Sequence, residues 1–334
     1  MPFSIVYGFV VFTRNLFFDY GIFSMYIIPK KSICIGNLST GGTGKTPMVL
    51  FLTKKLKDKY SVGILSRGYG RKTNGYLDVF IDSDAGLVGD EPLLFAKNLG
   101  DGVKIAVCED RKKGIHLLLS KFSIDLILLD DAFQHRKVKA GLNILINDYN
   151  QPIHKDFLLP MGNLREGKNG IKRADLMIIS KCPMEINENE KSQFISNYSM
   201  KKENIFFSHI VYEDFIPFFK NNITSTNKII LVTGIANSKP IIEYLEKNYE
   251  VFTLNYSDHY QFNEKDIEQI HKKFDTFASR EIRIVCTEKD FVRFGSLLNR
   301  CKMEEYPWYY LPIRIQIDRE QELINKIENY VRSI

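Results

Sequence analysis

Residues 32–49 read SICIGNLSTGGTGKTPMV: a short β-branched apolar run, a glycine-rich loop, then a segment with helical spacing. The run 32–36 predicts a strand, and Pro47 suits the first turn of a helix. A glycine-rich loop held between strand and helix lets successive backbone N–H groups wrap a phosphate chain. Here Ser39, Thr40, Gly41, Gly42, Thr43 and Gly44 form that cradle. Lys45 is placed to reach the β- and γ-phosphates, and the Thr46 hydroxyl to ligate Mg²⁺. The general pattern G-x-x-x-x-G-K-[ST] opens with Gly, whereas Ser39 stands there in this chain. A chance glycine-rich turn would not bring the strand and helix with it, so the chain is expected to bind a nucleoside triphosphate.

Outward from this loop the sequence alternates. Apolar runs at 61–65, 103–108, 125–130, 142–147 and 175–180 are separated by longer segments with helical spacing. Such alternation predicts an α/β fold, P-loop NTPase-like, with a mostly parallel sheet flanked by helices. The polar stretch KNNITSTN (220–227) interrupts the pattern, which resumes at 228–235, 251–256 and 281–290. The expected organisation is an N-terminal apolar helix (1–30), a P-loop domain (31–219) and a smaller C-terminal α/β domain (220–334).

The whole chain has 334 residues, 44% hydrophobic and 26% charged, which is globular and excludes a disordered or collagen-like polymer. Lys and Arg number 46 against 40 Asp and Glu, a net charge of +6. This mild excess suits an anionic small molecule or a membrane surface. A nucleic-acid protein would show a denser basic stripe interleaved with aromatics, and none is found. The five cysteines form no Cys-x-x-Cys pair, so neither a zinc site nor a disulfide framework is indicated, and buried thiols in a reducing cytoplasm are expected.

Residues 2–28 are unusually apolar, but Arg14 and Asp19 interrupt them before the roughly 20 residues a membrane span needs. No basic residue precedes the apolar part and no small-residue cleavage site is evident, so a secretory signal fits poorly. As a helix the segment carries a narrow polar stripe of Ser4, Gly8, Asn15 and Asp19. It either packs on the protein's own core or lies in a membrane interface, with Tyr7, Tyr20 and Tyr26 at headgroup level and Arg14, Lys30 and Lys31 towards anionic lipid.

Three further groups carry chemistry. LILLDD (126–131) ends an apolar strand in Asp130 and Asp131, where the second Mg²⁺-holding group of a P-loop enzyme belongs. Gly89-Asp90-Glu91-Pro92 starts a helical segment with two carboxylates. These are either simple complements to the helix dipole or a hydroxyl-proton acceptor and a metal ligand. The runs 66–70 and 159–167 each put an Arg, Arg67 and Arg165, on a loop after a strand, either as surface residues or to meet phosphate charge.

Together these segments resemble one family, the tetraacyldisaccharide 4'-kinases of lipid A synthesis. The resemblance rests on GNLSTGGTGKTP (36–47), LSRGYG (65–70), GDEP (89–92), DDAFQH (130–135), LPMGNLREG (159–167), SDHY (257–260) and TEKD (287–290), in that order. It implies transfer of the γ-phosphate of ATP to the 4'-hydroxyl of an anionic acylated disaccharide 1-phosphate, giving lipid IVA. It also implies a peripheral position on the cytoplasmic face of the bacterial inner membrane; nothing suggests an obligate protein partner. Carried over by position, Lys45 and Thr46 hold ATP phosphates and Mg²⁺, with Glu91, Asp130 and Asp131 as acidic partners. Asp90 is the expected catalytic base and His259 its partner from the second domain. Arg165 would stabilise phosphate charge, Gln134 and His135 would line the nucleotide or acceptor site, and Arg67 and Tyr69 the acceptor side. Ala132 departs from the family, many of whose members have Gly there.

The main rival is a P-loop GTPase acting as a switch or metallochaperone. Its guanine reader, N-K-x-D, is matched only in disturbed order by Thr287-Glu288-Lys289-Asp290, and no Cys/His cluster stands ready to hold a metal for delivery. A P-loop ligase acting on a soluble carboxylate would leave the apolar N-terminal segment without a task.

Overall fold

The inner strands of the larger sheet carry apolar residues on both faces because helices cover both. In Lys31–Asn37, Ile33 and Ile35 enter one core while Cys34 enters the other. Leu126–Asp130 divides in the same way, Leu126 and Leu128 against Ile127 and Leu129. The computed structural model describes residues 2–219, 226–277 and 281–333.

This sheet has nine strands. From one edge they run Ile313–Ile317, Ile205–Tyr212, Leu176–Ser180, Leu142–Asp148, Lys31–Asn37, Leu126–Asp130, Val62–Ser66, Lys104–Val107 and Leu77–Val79. The two edge strands are antiparallel to their neighbours and all other pairs are parallel. The glycine-rich loop leaves the carboxyl end of the central strand, next to the end of Leu126–Asp130. That crevice is where open α/β sheets bind ligands. The expected α/β fold with a mostly parallel sheet is therefore present.

A second sheet of five strands orders Ile216–Pro217, Trp308–Leu311, Arg283–Thr287, Lys228–Thr233 and Glu250–Asn255, parallel except at its first, two-residue strand. Its limits differ from the expected 220–334. The chain enters it at Ile216 and leaves it after Leu311, whereupon Ile313–Ile317 pairs with Ile205–Tyr212 in the larger sheet. Helix Glu320–Arg332 then buries Leu323, Ile324 and Ile327 in the larger sheet's core. Residues 220–225, part of the polar stretch expected to mark the boundary, lie outside the described residues.

The N-terminal helix, Pro2–Asp19, turns its polar stripe inward. Ser4 Oγ accepts from the Met161 amide, Asn15 donates to Glu166, and Asp19 pairs with Arg136. Gly8 lies so close to Leu158 that an added Cβ would come within 2.8 Å of it. The outer face is apolar and bare: Phe3 is 77% exposed, Phe9 69%, and Ile5, Val6, Val10 and Phe12 are more than half exposed. Arg14 and Tyr7 are not at that face, contrary to expectation. Arg14 donates to the Gln134 carbonyl and the Tyr7 hydroxyl to the Arg165 carbonyl, because backbone oxygens beneath the helix offer them partners. Lys31 is likewise turned to the protein, bonded to Ser333 Oγ over the Tyr330 ring. Among the described residues no helix is long and apolar enough to cross a membrane.

Candidate active site

The glycine-rich loop is pinned from three sides. Ser180 Oγ donates to the Thr43 carbonyl, Asn37 Nδ2 to Thr43 Oγ1, and the Thr40 amide to the Asn163 carbonyl. Gly41 and Gly44 have φ of 91° and 95°, a region in which a Cβ is strained. A Cβ built on Gly41 or Gly42 would meet nothing within 4 Å, so the loop's backbone faces open space there. Ser39 and Thr43 are buried supports of the loop.

Around the loop lie three carboxylates with unlike environments. Asp131, at φ 45° just past its strand, pairs with Lys45 (3.7 Å) and with Arg165 (3.0 Å). Burial opposes its ionisation, but Lys45 and Arg165 outweigh that and hold its carboxyl below the usual range. The Arg165 side chain also bonds Asn37 Oδ1. Glu91 accepts from Thr46 Oγ1 (2.9 Å) and from Lys289 Nζ (2.8 Å). Burial works against its charge too, yet Lys289 and Lys45 bring it down to about 2.

Asp130 behaves differently. Its Oδ2 accepts from Ser66 Oγ at 2.8 Å, while its buried Oδ1 has no hydrogen-bond partner among the described residues. Burial, then the charges of Glu91 and Asp131, push its carboxyl up to about 7. A folded-state value above the unfolded one means that the neutral form favours folding. That stability is fully present below the usual carboxylate range and is lost as pH rises through about 7. Asp130→Asn should therefore be more stable than the wild type at pH 8 in chelator, by on the order of a few kcal/mol. The gap should shrink towards pH 5. Equal gaps at both pH values in thermal unfolding would refute the assignment.

The second group of residues joins the two sheets. Helix Asp90–Leu99 begins at Asp90, entered through Gly89 at φ 94°, where a Cβ would press on Gly68 and the Tyr69 carbonyl. His259, from the smaller sheet and also in the left-handed region, puts Nδ1 3.1 Å from Asp90 Oδ2. Arg293 Nε donates to the same oxygen at 2.7 Å. Burial raises the Asp90 pKa, but the contacts with His259 and Arg293 prevail and lower it overall. The exposed Tyr69 ring lies 5.5 Å from that of His259, on the open side.

The remaining expected site residues differ in how far they are engaged within the protein. Gln134 is engaged within the protein, donating to the Asn37 carbonyl and to the buried Glu166, which Arg173 and Asn15 also hold. His135 is partly buried; burial first, then the charge of Arg111, lowers it to about 4, so the ring is neutral. Arg67 is exposed on the loop before Gly68. Among the described residues, no three His, Cys, Asp or Glu side chains are grouped so as to hold a metal ion. Lys289, Arg293 and Glu166 went unassigned in the sequence. Lys289 lies inside the quoted TEKD (287–290) and Arg293 four residues further on, at helical spacing, and that was the available signal.

The sequence model of the tetraacyldisaccharide-1-P 4'-kinase family matches residues 1–332. A tetraacyldisaccharide 4'-kinase of Flavobacterium psychrophilum is 42% identical over 99% of this chain and 96% of its own length. One of Bacteroides thetaiotaomicron is 40% identical over 99% and 92%. Among solved structures, LpxK from Aquifex aeolicus, crystallised in complex with ATP, superposes with a TM-score of 0.75 at 29% identity, covering 99% of this chain and 98% of that one.

Proposed function

The chain belongs to the tetraacyldisaccharide-1-P 4'-kinase family, and we propose that its glycine-rich loop and the Asp90–His259 pair transfer the γ-phosphate of ATP to the 4'-hydroxyl of tetraacyldisaccharide 1-phosphate. The product is lipid IVA, in lipid A biosynthesis. The observation that carries this division of labour is the 3.1 Å contact between Asp90 and His259. That carboxylate–imidazole pair adjoins Glu91, which accepts from Thr46 at the end of the loop, and the exposed Tyr69 ring lies next to it.

Phosphoryl transfer needs positioning and charge neutralisation more than covalent work by the protein. The loop amides hold the phosphate chain and Lys45 its outer oxygens. Arg165 reaches the same region through Asp131. Asp90, polarised by His259, accepts the hydroxyl proton of the sugar. The donor set next to Thr46 is hard oxygen, including the partnerless Oδ1 of Asp130, and it fits Mg²⁺, which takes one or two carboxylates plus phosphate and water rather than a protein cage. Thr46, Glu91 and Asp130 would hold it, with Asp131 beside them. Mg²⁺ supplies neutralisation of phosphate charge.

The inverted N-terminal helix supports a peripheral position at the cytoplasmic face of the inner membrane. Its polar side is used up against the protein, so the bare side, continued by exposed Tyr20, Ile22, Phe23 and Ile27, has lipid as its natural solvent. The substrate's acyl chains would then stay in the bilayer while its sugar reaches the crevice.

Labelled ATP and Mg²⁺ with tetraacyldisaccharide 1-phosphate, presented in phosphatidylethanolamine–phosphatidylglycerol vesicles, test both parts. Wild type should make the bis-phosphorylated lipid. The double variant Val6→Glu/Phe9→Glu should lose on the order of a hundredfold on vesicles, from two apolar anchors, yet keep its rate on detergent-dispersed substrate. ATP or GTP hydrolysis without a lipid product would favour the switch reading instead. An unchanged vesicle rate would remove the membrane role.

A further inference from the structure

The transfer as derived gives Arg293 no task, although its side chain is only 1% exposed and binds in three directions. Nε donates to Asp90 Oδ2 at 2.7 Å, and Nη1 donates both to Asp290 Oδ1 at 2.8 Å and to the Gly234 carbonyl at 2.5 Å. Nη2 lies 3.4 Å from His259 Nδ1. The anchor beneath is built in turn. Thr287 caps helix Glu288–Phe294, and its hydroxyl donates to Asp290 Oδ2, while the Gly234 amide donates to Asp290 Oδ1. Asp290 is fully buried, so its side chain is held where it stands.

Four residues before Arg293 on this same helix, Lys289 holds Glu91. One helix face from the smaller sheet thus grips the two adjacent carboxylates that begin helix Asp90–Leu99. Both side-chain partners of Asp90, His259 and Arg293, fall on Oδ2.

We propose that Arg293 is a positioning residue for phosphoryl transfer: it clamps Asp90 by one oxygen, so that Oδ1 is the oxygen presented to the acceptor hydroxyl. Since Nη1 is spent on Asp290 and the Gly234 carbonyl, and Nη2 faces His259, this orientation exists only while the smaller sheet is seated on the larger one. The planar fork is essential, because Nε and Nη1 meet partners at two separate nitrogens, a span that the one nitrogen of an ammonium does not cover. The inference rests on the reading of Asp90 as the acceptor-side base.

Arg293→Lys keeps the buried positive charge between Asp90 and Asp290 and loses the fork. Its kcat for lipid phosphorylation should fall by about 10²-fold, as a misplacement near 1 Å does, with the KM for ATP unchanged. Added methylguanidinium should partly restore turnover to Arg293→Ala; if that variant does not fold, the lysine variant alone carries the test. In an Asp90→Asn background Arg293→Lys should cost nothing further, since a residue acting through Asp90 has nothing left to position. Wild-type turnover in Arg293→Lys, or the same fold loss with and without Asp90, would overturn the proposal. Near-wild-type turnover of Asp90→Asn would remove the base reading itself, and this inference with it.

Discussion

Lys45→Ala is expected to lower lipid phosphorylation by about 10²–10³-fold or more, the cost of removing one preorganised charge-stabilising donor from a closed site, and to weaken ATP binding as well. The loop opens Gly41 and Gly42 to an incoming phosphate chain, and Lys45, its side chain only 11% exposed, stands at the start of the following helix. Its removal strips a cation from the transferring group in ground and transition states alike, so both kcat and the KM for ATP should change. The fold should survive. Asp131 keeps its 3.0 Å pairing with Arg165 and Glu91 its 2.8 Å pairing with Lys289, so the two ionised carboxylates beside Lys45 each keep a cation. Steady-state kinetics alongside thermal melting check this. Undiminished transfer in a folded variant would place the phosphates elsewhere.

The parts of the site that could be read from the sequence are those written in contiguous residues. The loop 39–46 and the acidic strand end 130–131 are local, because a strand, a tight turn and a helix start impose their chemistry over a few positions. The carboxylates at 90–91 were legible as a helix start, but their partners were not. Lys289 and Arg293 reach them from a helix roughly two hundred residues later, and only the packing of the two sheets joins the elements. The strand Ile313–Ile317 escaped notice for a related reason. It is an edge strand with Arg314 exposed, so it lacks the unbroken apolar run of the buried strands. Once it is placed in the larger sheet, the smaller unit becomes an insertion between Ile205–Tyr212 and Ile313–Ile317. Both of its connections then start from one edge of the larger sheet, while His259 and Arg293 reach Asp90. The N-terminal helix illustrates another limit. Its stripe of Ser4, Gly8, Asn15 and Asp19 was visible, but which way a stripe faces depends on what lies beneath it.

Asp90→Asn should lower kcat by about 10²–10⁴-fold, the range a positioned general base contributes, with little effect on the KM for ATP. The substitution is nearly isosteric, and Asn still offers one carbonyl oxygen to Arg293 or His259. What it lacks is a second anionic oxygen to take the proton of the sugar hydroxyl. The structure also fixes the expected stability change. Burial raises the Asp90 pKa, but His259 and Arg293 hold it below the usual range, so the ionised form favours folding. That contribution is present at neutral pH and is lost as pH falls through the depressed folded value. The Asn variant should therefore be less stable than the wild type at pH 7, with the difference fading in strong acid. Arg293 retains Asp290 as a counter-ion, which keeps the loss moderate. Rate and stability thus respond on separate axes: Asp90→Asn weakens both, whereas Asp130→Asn should stabilise the metal-free protein. Single-turnover transfer at saturating ATP and lipid reads the rate. If Asp90→Asn transfers phosphate as fast as the wild type while melting earlier at pH 7, Asp90 is an anchor for the smaller sheet and the base must be sought elsewhere.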